Sequence, residues 1–342
     1  MAEVLKTLSK IPGVSGHEDK LAAVFQGVPG VEVRTDVMGS VIAIRRGTGP
    51  EPRPRIMLAA HCDEIGLMVT KVEEGGFLRF VPVGGVDPRV LPGQAVMVHG
   101  KRAIPGVVGF TPPHLVDPGK EKETVPMHEL YIDTGNEAGD IQVGDVCTFD
   151  SGFTRLGPKR AAGKAMDDRA GVAVLLGCLE ELGHMRHQAD VYLAATVQEE
   201  VGFRGAITCT YDIIPDIGVA VDVTHGAMPG LPEYDTHELG KGPTITLGGN
   251  IHPVIHKALV EVAEAEGIPY QLEAMPGSTG TDAWAMQVCR AGVPSGLVSV
   301  PLRYMHTPVE TLELKDAELA ARLLARFALR VDRVFLEGLS WN

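Results

Sequence analysis

Five short segments of this chain carry residue types that bind metals or move protons. In order they hold His61 with Asp63, Asp167 with Asp168, Glu199 with Glu200, Asp222, and His306. Two histidines with three or four carboxylates suit a pair of borderline-hard divalent ions such as zinc, cobalt or manganese, bridged by one carboxylate. Adjacent glutamates on an extended strand point to opposite sides, so Glu199 and Glu200 reach one site only where the strand is already turning. One can then ligate while the other stays free beside a metal-activated water, as general-base catalysis requires. Asp63 is placed behind His61, holding the imidazole through its other ring nitrogen. Taken singly, each group has a plainer explanation: a hydrogen-bonded pair for H-x-D, a solvated face for the paired glutamates, a turn cap for Asp63. It is their convergence on one sheet edge that favours chemistry.

That edge follows from the elements around them. The runs RIMLAA, YLAATVQ, GVAV and SVPLRYM read as buried strands ending in His61, Glu199-Glu200, Asp222 and His306. In an α/β sheet, ligands gather where loops leave the carboxyl ends of strands. Asp167 and Asp168 fall on a turn before the helical segment RAGVAVLLGCLEELG. A helix is expected at the start, a second over about 18–27 from Glu18, Leu21, Val24 and Phe25, and a hairpin around Met38-Gly39. NIHPVIHKALVEVAEAEG, TDAWAMQVCRAG and a long closing segment from Glu313 read as helices. Between about Val72 and Lys159 the texture changes to short β-like pieces cut by Gly, Pro and Asp, a small β-barrel inserted into the α/β fold. The expected division is 1–70 with 161–342 as one discontinuous catalytic domain and 71–160 as the insertion. The stretch TPPHLVDPGKEKETVPMHE inside it reads as an exposed loop.

Composition excludes other classes. The chain has 342 residues, 31 Lys and Arg against 44 Asp and Glu, and a formal net charge of -13, which repels nucleic acid and anionic membranes. No apolar run approaches a bilayer span and the start lacks a secretory pattern, so the expected location is cytoplasmic. Five scattered cysteines without C-x-x-C argue for reduced thiols and against a zinc ribbon. Cys62, beside His61, is expected to turn away into the packing.

HCDEIG, GKAMDDRAG, VQEEVGFRGA, VDVTH, GTDA and RYMHTPVE, in this order, closely resemble the tetrahedral dodecameric metalloaminopeptidases, a family of glutamyl and leucyl aminopeptidases of which some carry an endoglucanase label. The resemblance covers nearly the whole chain, without a break at a motif position. It implies a phosphorylase/hydrolase-like three-layer α/β catalytic domain with a PDZ-like or barrel-like insertion making dimer contacts in a homo-oligomer, a dodecamer. It also implies two divalent ions per subunit. Asp167 would be the bridging ligand, Glu200 and His306 would complete one site, and His61 and Asp222 the other. Glu199 matches the general base, and Asp168 follows a cis peptide in related enzymes. The implied substrates are short peptides with a free N-terminus.

Several features are set aside. His252 and His256 have the spacing of a helical zinc pair, but no Glu follows the first and Pro253 starts the helix there. The Gly-rich GPTITLGGN and PGSTGTDAW lack the Walker lysine; Gly280, Thr281 and Asp282 are instead placed beside the substrate cleft. Glycoside hydrolysis normally uses paired carboxylates without metals. A non-catalytic scaffold would have lost a ligand or the base. A deacylase or carboxypeptidase with the same paired-metal chemistry is the stronger rival, separated by its indifference to N-terminal acetylation.

Overall fold

Strands covered on both faces read as unbroken apolar runs, whereas half-exposed strands alternate, and both textures occur here. The computed structural model describes residues 1–115, 119 and 123–341. The chain opens with α1 (Ala2–Leu8), the hairpin β1 (Glu32–Thr35) and β2 (Val41–Arg45), and β3 (Arg55–His61). There follow β4 (Gly66–Val72), β5 (Phe77–Val83), β6 (Ala95–His99), β7 (Ala103–Gly109), β8 (Tyr131–Asp133) and β9 (Val146–Phe149). The second half runs through β10 (Thr154–Leu156), β11 (Arg160–Gly163), α2 (Met166–Gly183), β12 (Asp190–Thr196), α3 (Arg204–Ile213) and β13 (Ile217–His225). It closes with β14 (Thr244–Gly248), α4 (Pro253–Ala265), β15 (Gln271–Met275), α5 (Asp282–Gln287), β16 (Ser295–Arg303), β17 (Glu310–Glu313), α6 (Leu314–Arg330) and α7 (Arg333–Glu337).

Among the described residues, strands order as β1-β2-β12-β3-β13-β16-β17-β11-β10 in an 11-stranded mixed sheet, with β14 on β16 and β15 on β14. The central β12, β3, β13 and β16 are parallel, so their carboxyl ends share one edge. Ile56, Leu58 and Ala60 of β3 pack with the buried faces of α2 and α6, while Met57 and Ala59 pack towards α3 and α5. This makes an α/β/α sandwich. The insertion closes into a six-stranded barrel, β4-β5-β8-β7-β6-β9, with its own core of Leu67, Val69, Leu78, Phe80, Val98 and Ile132. β6, β7 and β8 alternate as half-buried strands should, β7 turning Ile104, Gly106 and Val108 inward, while β9 is buried along its length.

The helix expected over about 18–27 does not form. Only a single 3-10 turn, Asp19–Leu21, is present, although Leu21 and Phe25 are buried as anticipated. A helix this short is marginal in water, and Glu18 instead accepts from the backbone of Gly16 and Gln198, so tertiary bonds override the local pattern. The closing helix is also divided: α6 ends before Asp332, whose carboxylate caps α7 by accepting from the N–H of Phe335. Of the Pro-rich stretch read as an exposed loop, His114, Leu115, Glu123 and Thr124 are exposed, while 116–118 and 120–122 lie outside the described residues. The described cysteines are buried and unpaired. No described helix is long and apolar enough to cross a membrane.

One glycine sets how closely α3 approaches the loop that carries Glu199 and Glu200. A Cβ at Gly205 would lie 2.4 Å from Val197 N and 2.6 Å from Val197 O, backbone atoms that cannot swing aside. Gly205→Ala should therefore destabilise the fold by about 1–3 kcal/mol. The measurable result is a thermal midpoint lower by several degrees.

Candidate metal centre

The parallel core brings the sequence-distant acids together. In β13, Asp222 has the parity of Ala220, on the same sheet face as Met57 and Ala59 of β3, and therefore of His61. Ala220 pairs with Ala59, so two residues further along each strand Asp222 comes level with His61. Asp222 thus lies inside β13 rather than at the strand end expected from GVAV. Cys62 has the opposite parity and joins the core beneath α2, and burial pushes its thiol pKa up, consistent with an inert side chain. The three other entries to the site are loops with a non-glycine residue in the left-handed region: Ala165 at φ 55°, Gln198 at φ 58° and His306 at φ 60°. Such backbone persists only where its surroundings fix it. The Asp167-Asp168 peptide is cis.

The resulting cluster has two halves. Ligand-type atoms of His61, Asp167 and Asp222 lie within 4.8 Å of one another, as do those of Asp167, Glu200 and His306. Asp167 belongs to both: its Oδ1 is 2.9 Å from His61 Nε2, and its Oδ2 is 3.3 Å from His306 Nε2. His306 Nε2 is also 3.3 Å from Glu200 Oε1. Glu199 belongs to neither trio, and its Oε2 lies 3.9 Å from His61 Nε2. Asp168 is directed away, accepting from the N–H of Gly171 at 2.8 Å.

The residues around the cluster hold it in place. Asp63 accepts from the Glu199 N–H at 3.0 Å, the Glu200 N–H at 3.2 Å and the Ser15 hydroxyl at 2.6 Å, and lies 3.5 Å from His61 Nδ1. One buried carboxylate thus pins the turn that lets both glutamates enter and backs the histidine. Glu310, quoted in the RYMHTPVE motif without a role, does the same on the far side. It accepts from the His306 N–H at 2.8 Å and the Asp167 N–H at 3.1 Å. Its only signal in the sequence is its position four residues after His306. The barrel also contributes: Nδ1–H of His306 donates to the Gly85 carbonyl at 3.1 Å, leaving Nε2 to face the acids. A Cβ at Gly85 would lie 2.6 Å from that ring, a close approach the sequence did not announce.

Charge decides what the cluster can hold. Burial pushes the Glu199 carboxyl up to about 10, with Asp222, Asp282 and Asp167 adding to the rise and His61 opposing it. Burial likewise raises Asp222, Asp168, Glu200 and Glu310. His306, bonded to Asp167 and Glu200, is raised to about 11. For His61, burial works against the charged form, but Glu199, Asp167 and Asp63 outweigh it and raise its pKa. Carboxylates crowded this way ionise together only with added positive charge, which divalent cations supply. Two trios of nitrogen and oxygen donors sharing one carboxylate fit a pair of such ions.

The cluster lines a cavity of about 430 Å³ together with Phe203, Val223, Thr224, Glu273, Met275 and Met305. Gly280 and Thr281 line it too, as expected from GTDA, whereas Asp282 is buried behind, accepting from the Thr196 hydroxyl at 2.5 Å. His252 and His256 stand apart from the cluster. His252 caps α4 by accepting from Val254 N, and His256 Nδ1 contacts the Thr246 carbonyl.

A mixed α/β sheet with an inserted closed barrel, and a cleft lined by paired histidines and carboxylates, defines a hydrolase of the peptidase class. Residues 39–323 match the M42 glutamyl aminopeptidase family. The chain is 38% identical over 336 residues to the lysyl aminopeptidase of Pyrococcus furiosus, covering 94% of each. Aminopeptidase APDkam598 from the archaeon Desulfurococcus kamchatkensis superposes with a TM-score of 0.91 at 38% identity, covering 99% of this chain and 97% of that one. The TET1 peptidase of Pyrococcus horikoshii, which can assemble into a tetrahedron or a large octahedral shell, aligns with a TM-score of 0.84 at 33% identity over 96% of this chain and 99% of that one. This chain belongs to the M42 glutamyl aminopeptidase family and is an aminopeptidase, hydrolysing N-terminal residues.

Glu310→Gln keeps the size of the side chain but leaves one oxygen to serve two N–H groups. Loss of such an orienting carboxylate typically weakens metal binding about 10- to 100-fold. Titration of the metal-stripped protein with zinc or cobalt should show that loss, with little change in far-ultraviolet circular dichroism.

Proposed function

We propose that this aminopeptidase works with two divalent metal ions, zinc or cobalt foremost, manganese being a third candidate, and with Glu199 as its general base. The observation that carries the reading is the pair of donor trios meeting at Asp167, with one further carboxylate, Glu199, left beside them. His61, Asp167 and Asp222 would hold one ion, and Asp167, Glu200 and His306 the other. When bound, the ions supply Lewis acidity at the scissile carbonyl and bring the water pKa towards neutrality.

The chain's own residues do the rest. Glu199 accepts the proton of the attacking water and later delivers it to the nitrogen of the departing amine, so the carboxylate ends as it began. Asp63 holds Glu199 by its own N–H, keeping the base at a fixed reach while Glu200 is turned into the ligand position. A free α-amino group offers this cleft a lone pair or a positive charge and an acetylated one offers neither, so acetylation disfavours binding.

We also propose a homo-oligomer, a dodecamer as in the P. horikoshii TET1 peptidase structure, with the inserted barrel as a contact surface between subunits and the rest of the chain as the catalytic unit; the barrel strands run from β4 (Gly66–Val72) to β9 (Val146–Phe149) and β10 (Thr154–Leu156) pairs into the main sheet, so both bounds fall earlier than the 71 and 160 expected from texture alone. The barrel exposes Val72, Val81 and Val107, apolar side chains suited to a contact. The names of relatives do not fix the preferred side chain, since they include both lysyl and glutamyl aminopeptidases.

Glu199→Gln should retain two metal equivalents by elemental analysis yet lose roughly 10²- to 10⁴-fold in kcat on a short peptide; wild-type-like turnover in the metal-replete variant would remove Glu199 from the role. Chelation should abolish wild-type activity, and re-addition of zinc or cobalt should restore it. N-acetylation of the peptide should abolish cleavage, and cleavage indifferent to acetylation would replace the aminopeptidase assignment with a deacylase or carboxypeptidase one.

A further inference from the structure

The wall of the same cavity holds a carboxylate that the hydrolytic machinery does not use. Glu273 lies on β15 at the edge of the sheet, opposite Thr246 of β14 in the strand register. It accepts hydroxyl hydrogen bonds from Thr246 at 2.9 Å, Thr244 at 3.0 Å and Thr224, while His237 Nε2 lies 3.6 Å away. The side chain is 11% exposed.

Elsewhere the fold balances carboxylates of this kind with bases. Asp190 is bonded to Arg46 and Arg53, Glu64 to Lys164, and Glu313 to Arg160. Among the described residues no lysine or arginine forms an ion pair with Glu273. Arg89, on the wall of the adjoining cavity of about 1190 Å³, is bound to Asp87. Burial alone would push the Glu273 carboxyl up, but the bonds from His237, Thr224 and Thr246 outweigh it and hold it below the usual range, so it stays ionised near neutral pH. Hydroxyl donors fix an anion without neutralising it, and an anion in a cleft whose one basic neighbour is an imidazole 3.6 Å away, with no lysine or arginine paired to it among the described residues, attracts a cation. Glu273 borders both cavities, at their junction. Beside it the wall is apolar: Met275, Met305, Leu297 and Val223 offer thioether and aliphatic surface. Such a surface accommodates the methylene stem of a long basic side chain while its charged head reaches a polar tip.

We infer that Glu273 is the specificity determinant of this aminopeptidase, selecting peptides whose N-terminal residue is lysine or arginine by pairing with the ammonium or guanidinium. The inference rests on the cleft being the hydrolytic site and names the class of substrate it takes. Its action is in binding: Glu273 neither ligates a metal nor moves a proton.

The test compares the metal-replete wild type, Glu273→Gln and Glu273→Asp on lysyl, arginyl, leucyl and glutamyl coumarin amides. The wild type should favour lysyl and arginyl substrates over leucyl and glutamyl ones. Glu273→Gln, which keeps shape but removes charge, should lower the lysyl-to-leucyl ratio of kcat/KM by about 10- to 100-fold, chiefly through KM. Glu273→Asp should restore part of that ratio. A wild type that prefers leucyl or glutamyl substrates, or an equal loss on lysyl and leucyl substrates in Glu273→Gln, would overturn the inference; the second result would leave the Thr-Glu network a purely structural tie. Absence of turnover on every substrate would count against the hydrolytic reading alone. Calorimetric binding of lysine amide and leucine amide then decides the specificity, and equal affinities overturn it.

Discussion

The constraint on which the rest of this structure depends is the confinement of more carboxylates than cationic groups in one cleft. Asp167, Asp168, Glu199, Asp222 and Glu310 are all buried within one neighbourhood, where His61 and His306 are the bases bonded to Asp167 and the nearby Lys164 is paired with Glu64. Left uncompensated, like charges at such separations repel strongly and their burial removes the water that would screen them. The fold does not relieve the crowding by spreading the acids apart. It fixes them there, with four parallel strands delivering side chains to one edge and three loops held in left-handed backbone. A scaffold that holds like charges together is built to receive opposite charge.

Two further carboxylates maintain that arrangement from behind. Asp63 gathers the N–H groups of Glu199 and Glu200, and Glu310 gathers those of Asp167 and His306. Each therefore ties together parts of the chain that are distant in sequence, and each acts through backbone, where its bonds do not compete with the side-chain oxygens left for ligation. Their role explains why the site tolerates so much buried acid: an anion accepting backbone N–H bonds is partly stabilised without any base. Glu273 extends the same principle to the specificity wall, with threonine hydroxyls in place of backbone N–H groups.

The inserted barrel is more than an appendage to the catalytic layer. Its Gly85 carbonyl fixes the ring of His306, and the absence of a Cβ there allows the approach. The barrel core is separate from the main one, yet one of its loops completes the surroundings of a candidate ligand. A movement of the barrel relative to the sheet would therefore reach His306.

Residue types and order alone marked His61, Asp167, Glu200, Asp222 and His306 as one group, which the fold brings together, and periodicity alone gave the mixed α/β layers with a β-rich insertion. Both were legible because strands buried on both faces write continuous apolar runs, and because polar residues at the ends of such runs stand out. Tertiary structure decided what depends on contacts across the chain. Glu18 spent its side chain on distant backbone, so the segment around it never became a helix; Asp222 proved to be a mid-strand residue brought level with His61 by strand register. Glu310 and Gly85 gained their roles only because folding put them beside Asp167 and His306. Glu273 looks in the sequence like any acid on a half-exposed strand. What sets it apart is the three hydroxyls around it and the absence, among the described residues, of a lysine or arginine paired with it, and those are properties of its neighbours in space, which the order of residues along the chain does not record.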